Sequence, residues 1–217
     1  MLTALYLDSA DVAHWRQAYD HGWARRITCN PLLLHEAGWP VNMDTACRLT
    51  AHAQEMGLSQ WHLQAWPEAG DDWLPVAQML ADLDPRVVVK LPAVPAAMSI
   101  VPLLKQQGTQ VLVTAVNNPL QGLWAAEVGA DFVAPYVGRL LEAGRDAWAL
   151  LETLVALQNQ GGPTVLAASV RDTAMLGRLI QMGVGAVTLR HALLASASQE
   201  PMTLDALAQF EAVRTQA

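Results

Sequence analysis

The segment Val87-Val88-Val89-Lys90-Leu91-Pro92 sets a lysine at the end of a run of β-branched apolar residues, just ahead of a proline. Such a run reads as a strand buried on both faces, the kind found in parallel sheets covered by helices. An ammonium group at its end loses much of its water, which favours the neutral form and makes a nucleophilic amine available near neutral pH. The plain alternative is a lysine that snorkels past the strand end into solvent. What decides between them is what the rest of the chain brings to the same place.

Outward from Lys90 in both directions, short β-type runs alternate with longer helical patterns, and no composition shift or flexible linker marks a second domain. Strands are expected at residues 4–7, 26–28, 61–65, 87–91, 110–115, 131–135, 164–168 and 186–189. Helices are expected between them at 11–21, 43–55, 73–82, 95–107, 119–128, 147–159 and 173–182, with Gly57, Gly108, Gly129, Gly161 and Gly183 at or beyond most helix ends. Another helix begins near His191, after the last strand. Eight strand–helix units in one chain point to a closed parallel (β/α)8 TIM barrel occupying 1–217 as a single domain. A further helix, about 203–214, exceeds what eight units need. Its Leu204, Leu207, Phe210 and Val213 recur at helical spacing, so it packs on the barrel or reaches a neighbouring subunit.

Composition narrows the function. The chain has 217 residues, 53% of them hydrophobic and 15% charged, with a net charge of −7. It carries no basic stripe to neutralise nucleic-acid phosphates. No basic and apolar leader is visible, and the apolar stretches are interrupted by Lys90, Pro92, Pro95 and Pro102, so a cytoplasmic protein without a membrane span is expected. Cys29 and Cys47 are too few for a disulfide framework and lack metal-ligand spacing. The six histidines, His14, His21, His35, His52, His62 and His191, are not set out as a ligand cluster.

Barrel chemistry belongs at the C-terminal ends of the strands. Asp8 ends strand 1, Thr28 and Asn30 end strand 2, Gln64 strand 3, Lys90 strand 4, Thr114 strand 5, Tyr136 strand 6 and Ser169 strand 7. Singly each has a bland explanation: Asp8 as a helix cap, Asn30 as a turn residue before Pro31, Thr114 as an ordinary strand residue. Together on one rim they make a chemical set. A lysine condenses with a ketone, a phenol moves protons, and a carboxylate orients a hydroxyl or the amine, as class I aldol chemistry requires. Arg139, one short loop beyond Tyr136, and Arg171, after Ser169, stand where barrels often place a phosphate, and they suit a sugar phosphate.

The segments Leu5-Tyr6-Leu7-Asp8-Ser9-Ala10-Asp11, Ile27-Thr28-Cys29-Asn30-Pro31, Val87 to Pro92, Ala134-Pro135-Tyr136-Val137-Gly138-Arg139 and Leu166-Ala167-Ala168-Ser169-Val170-Arg171 resemble the signatures of the transaldolase and fructose-6-phosphate aldolase family, in order and spacing along nearly the whole chain. The resemblance implies a (β/α)8 barrel, a Schiff base on Lys90, no metal or organic cofactor, and a homo-oligomer, commonly a pentamer or decamer in which the C-terminal helix packs across subunits. It also implies roles. Lys90, Tyr136, Asp8, Gln64 and Thr114 would be catalytic, with Tyr136 acting through a water held by Gln64 and Thr114; Thr28, Asn30, Arg139, Ser169 and Arg171 would bind substrate.

Transaldolases of this family carry glutamate and phenylalanine where this chain has Gln64 and Tyr136, so it resembles the aldolase branch, and cleavage of fructose 6-phosphate to dihydroxyacetone and glyceraldehyde 3-phosphate is expected. Two alternatives stand beside it: transfer of the dihydroxyacetone unit between sugar phosphates, and a barrel that binds a sugar phosphate without turning it over. The chain departs from the family pattern at Cys29, at Asn117-Asn118-Pro119 and at Arg190-His191. Cys29 is expected to be a packed neighbour of Asn30 rather than a nucleophile, and Trp66 to narrow the mouth.

Overall fold

In the computed structural model, which describes residues 2–67 and 70–215, eight parallel strands close into a barrel in chain order. They are β1 (Ala4–Asp8), β2 (Arg26–Thr28), β3 (Gln60–Gln64), β4 (Val87–Pro92), β5 (Gln110–Thr114), β6 (Phe132–Ala134), β7 (Thr164–Ala167) and β8 (Ala186–Arg190). The helices are α1 (Val12–Asp20), α2 (Pro31–Glu36), α3 (Met43–Glu55), α4 (Leu74–Ala81), α5 (Pro95–Met98), α6 (Val101–Gln106), α7 (Pro119–Glu127), α8 (Val137–Glu142), α9 (Ala147–Asn159), α10 (Thr173–Met182), α11 (His191–Ser196) and α12 (Pro201–Arg214). This is the (β/α)8 TIM barrel expected from the sequence. No helix among the described residues is long and apolar enough to cross a membrane.

The segment read as one helix over 95–107 is two. Pro102 lacks an N–H and its ring collides with the carbonyl of the preceding turn, so α5 stops at Met98 and α6 restarts with Pro102 in its first turn. Two six-residue helices, α2 and α8, were not expected. Asn30-Pro31 carries the start signal of α2, with the Asn30 side chain accepting from the Leu33 N–H and proline at the first helical position. The start of α8 has no such signal, since Tyr136 makes no side-chain cap.

Strand alternation sorts the core into two layers. Outward-facing Leu7, Ile27, Trp61, Val89, Leu91, Val113 and Val165 pack under the helices. Tyr6, Val88, Leu112, Ala134, Leu166 and Ala186 form a separate cluster that fills the barrel interior. Lys90 has the parity of Val88, so its side chain stands inside the barrel, one step nearer the C-terminal mouth. By contrast α12 buries no residue: Leu207 is 52%, Phe210 67% and Val213 71% exposed. Of the two expected placements for this helix, packing on its own barrel is not what the chain does.

The loop that follows Asp8 is anchored from outside. Trp15 on α1 is fully buried, and its indole Nε1 donates to the carbonyl of Ser9 at 2.8 Å. Replacing Trp15 by Ala removes both the packing and the anchor, and is expected to lower unfolding stability by about 3 to 5 kcal/mol in denaturant titration.

Candidate active site

One cavity of about 260 Å³ opens at the C-terminal mouth. Asp8, Thr28, Asn30, Lys90, Thr114, Tyr136, Arg139, Ser169 and Arg171 all line it. Gln64 does not. It stands beside Lys90 in the β3–β4 register, but with Trp66, Cys29 and Asn30 it borders a smaller neighbouring void, and its Oε1 is buried with no partner among the described residues. Trp66 is likewise absent from the lining of the main cavity.

Lys90 is buried, and its Nζ donates to the carbonyl of Cys29 at 2.6 Å. Burial pushes the Cys29 thiol up to about 11, and its Sγ lies 3.5 Å from the carbonyl of His62, so it is a packed neighbour, as expected, and not a poised thiolate. Beside the lysine, Thr28 Oγ1 donates to Asp8 Oδ1 at 2.9 Å and lies 2.6 Å from Thr188 Oγ1. The single hydroxyl proton of Thr28 is committed to the carboxylate, so Thr188 is the donor in the second bond. The result is a relay from Thr188 to Thr28 to Asp8. Burial raises the Asp8 pKa above the ordinary carboxylate value, against the opposing pull of the Lys90 charge, the Thr28 hydrogen bond, and the Arg190 and Arg139 charges.

Across the cavity the Tyr136 hydroxyl meets Thr114 Oγ1 at 2.8 Å, bringing the phenol and the end of β5 into direct contact. The Arg139 guanidinium lies over the Tyr136 ring, 5.1 Å from its centroid. Arg171 is engaged by Glu142 through two bonds of 2.8 and 3.1 Å. Ser169 holds a left-handed φ of 61°, unusual for a residue with a side chain, and its Oγ is buried with no partner among the described residues. The carbonyl of Ser169 accepts from the Gly138 N–H at 3.0 Å. A Cβ at Gly138 would come within 2.3 Å of that carbonyl and 2.7 Å of Arg171 Nε, so only glycine lets α8 approach the loop after β7.

Several lining residues were outside the sequence expectation: Thr188, Glu36, Arg190 and the apolar Leu112, Ala134 and Leu166. Thr188 was legible in principle, since it shares inward parity with Ala186 on the last strand. Glu36 was not, because it sits at the end of a helix that had not been expected. Of the departures from the family pattern, Asn117-Asn118-Pro119 serves helix geometry: Asn118 caps α7 by accepting from Gln121 N–H, and Pro119 occupies the first turn. His191 stacks on His14 with ring centroids 4.0 Å apart, outside the cavity.

Comparison with known proteins agrees with this geometry. The family model described as Transaldolase/Fructose-6-phosphate aldolase matches residues 5–217. Among curated relatives, a probable transaldolase of Bdellovibrio bacteriovorus is 30% identical over 210 residues, covering 94% of each chain. A probable transaldolase of Dehalococcoides mccartyi is 29% identical over 210 residues, covering 96% of each, and one of Exiguobacterium sibiricum is 28% identical over 207 residues, covering 94% of each.

The Asp8 environment carries a stability cost. Because the folded chain holds the Asp8 proton more tightly than the unfolded chain, this group's contribution is fully present below the unfolded carboxylate pKa of about 3.9 and is lost as pH rises through the raised folded value. Asp8→Asn is therefore expected to raise Tm near neutral pH. The gain should shrink toward zero as pH falls into the ordinary carboxylate range, as followed by calorimetric scans across pH.

Proposed function

Because the chain belongs to the transaldolase and fructose-6-phosphate aldolase family, we propose that it cleaves fructose 6-phosphate reversibly to dihydroxyacetone and glyceraldehyde 3-phosphate through a Schiff base on Lys90. The observation that carries this reading is the sharing of one cavity by a buried lysine, a carboxylate and a phenol hydrogen bonded to a threonine. In this mechanism the unprotonated Lys90 amine attacks the C2 carbonyl, and loss of water from the adduct leaves an iminium. Tyr136, paired with Thr114, takes the proton of the C4 hydroxyl. The C3–C4 bond then breaks, its electrons pass into the iminium to give an enamine, and glyceraldehyde 3-phosphate departs. Tyr136 returns the proton to C3, and water hydrolyses the remaining imine to free dihydroxyacetone.

Asp8, steadied by Thr28, orients the lysine and the substrate hydroxyls together with Asn30. Arg139, Ser169 and Arg171 bind the phosphate by charge-assisted hydrogen bonds, which requires Arg171 to leave Glu142. Gln64, half-buried beside Lys90 in the β3–β4 register, borders the neighbouring void and not the cavity itself. We further propose that the exposed apolar residues of α12 are covered by another copy of the chain, and that the enzyme is a soluble cytoplasmic homo-oligomer.

Transfer of the dihydroxyacetone unit to a second sugar is the reading favoured by the names of the curated relatives, all probable transaldolases. The presence of Gln64 and Tyr136, in place of the glutamate and phenylalanine of transaldolases, favours the aldolase.

Borohydride added with dihydroxyacetone is expected to fix a stable adduct on the Lys90 peptide, read by mass spectrometry; an unmodified Lys90 peptide removes the mechanism. Tyr136→Phe should retain the adduct and lose roughly 10²-fold or more in cleavage rate. Incubation with fructose 6-phosphate alone separates the two reactions. Free dihydroxyacetone is expected, whereas release of glyceraldehyde 3-phosphate only when erythrose 4-phosphate is added would make the protein a transferase.

A further inference from the structure

Arg190 ends β8 directly beside Asp8 in the β1–β8 register, and it lines the same cavity as Lys90. Its guanidinium donates to Glu36 Oε2, the last residue of α2, at 2.5 Å. The two residues face a second cavity as well, of about 340 Å³, which reaches Ser9, Asp11 and His14. With Asp8 and Leu33, which also line both, the pair stands between the two spaces. Arg139 and Arg171 follow β6 and β7, and Arg190 ends β8, so the three arginines lie along one side of the rim, Arg171 paired with Glu142 and Arg190 with Glu36. This is the side of a barrel on which phosphate groups are commonly held.

The hold of Glu36 on Arg190 is weak enough to be exchanged. Both side chains are nearly half exposed, at 48% and 42%, and an ion pair in such a setting contributes little because water competes for both partners. A phosphate offers three acceptor oxygens and up to two negative charges to the same planar guanidinium, a better match than one carboxylate oxygen. The Glu36 carboxylate, in turn, repels an anion entering the cavity for as long as it faces it.

We propose that Arg190 is a specificity-determining residue for phosphorylated substrates, leaving Glu36 to bind the substrate phosphate together with Arg139 and Arg171. The proposal rests on the reading of the cavity as a sugar-phosphate site. Glu36 then acts as a placeholder that keeps the guanidinium turned toward the mouth and disfavours entry of anions too weak to displace it.

Binding of glycerol 3-phosphate, a three-carbon phosphate that has no bond to cleave, tests this without relying on turnover. By calorimetry at fixed salt, Arg190→Ala is expected to weaken binding about tenfold, and Glu36→Gln to tighten it several-fold, since the arginine is released and a repelling charge removed. A purely structural partition would weaken in both variants alike. Unchanged affinity in Arg190→Ala, weaker binding in Glu36→Gln, or no binding to the wild-type chain overturns the assignment. Borohydride trapping on the wild-type protein reads the other question: an untrapped Lys90 with Arg190-dependent phosphate binding removes the aldolase and leaves the arginine assignment standing, whereas a trapped Lys90 with full affinity in Arg190→Ala removes the arginine assignment alone.

Discussion

Lys90 donates from inside the barrel to the backbone carbonyl of Cys29 at 2.6 Å, and the rest of the mouth is arranged around that one contact. A buried lysine nitrogen needs acceptors in place of water. Among the described residues no salt bridge reaches it; Asp8 lies near enough to feel its charge, but the carboxylate is bonded to Thr28 instead. A backbone carbonyl is a modest acceptor that cannot take a proton, so it locates the amine without locking it into a full ion pair. The closed strand order makes this contact possible. Lys90 and Cys29 are separated by 61 residues along the chain, and only the successive pairing of β2 to β3 and β3 to β4 brings them within reach.

Strand parity explains why so much of the fold and so many of the site residues were legible. Once the apolar runs are recognised, period 2 decides which side chains point inward, and closure gathers the inward ones at the strand ends. Asp8, Lys90 and Thr114 were readable on that basis, because each sits within or at the end of a run of apolar strand residues. Two of the six-residue helices were not. Neither α2 nor α8 is long enough to show a helical period, and Gly138 looks like a break when read in sequence, although it is the residue that permits close approach to Ser169. The single helix expected over 95–107 failed for a similar reason, since its apolar period runs unbroken through a proline whose effect is on the backbone alone.

Pairings made by long side chains are a second class of illegible feature. Arg171 pairs with Glu142 across 29 residues, and Arg190 with Glu36 across 154. Sequence places an arginine at a rim; it does not say whether a carboxylate from another loop meets it there. Both acceptors lie at the C-terminal ends of the two short helices, α2 and α8, so missing those helices also hid the charges that hold the arginines.

Among the apolar residues of the barrel interior runs a polar network as well. Gln60 Oε1 accepts from Tyr6 Oη at 2.6 Å and lies 3.1 Å from His62 Nε2, while Gln60 Nε2 donates to Gln110 Oε1 at 2.8 Å. An amide oxygen only accepts, so the proton of His62 resides on Nε2 and its Nδ1 is left as a lone-pair acceptor. Burial, with the charge of Lys90 adding to it, holds the His62 pKa well below the ordinary imidazole value, so the ring stays neutral. A neutral dipolar layer solvates a charge above it without adding a competing one. That places a cost on the core, since His62 Nδ1, Gln64 Oε1 and Ser169 Oγ are buried side-chain atoms with no protein partner among the described residues. All three belong to the strands and loop that surround the lysine cavity, and none to the helical shell. Of the three only Ser169 lines the cavity that holds Lys90, whereas Gln64 borders the neighbouring void and His62 is fully buried, so the unsatisfied polarity sits around the mouth while the outer layer supplies stability through apolar packing.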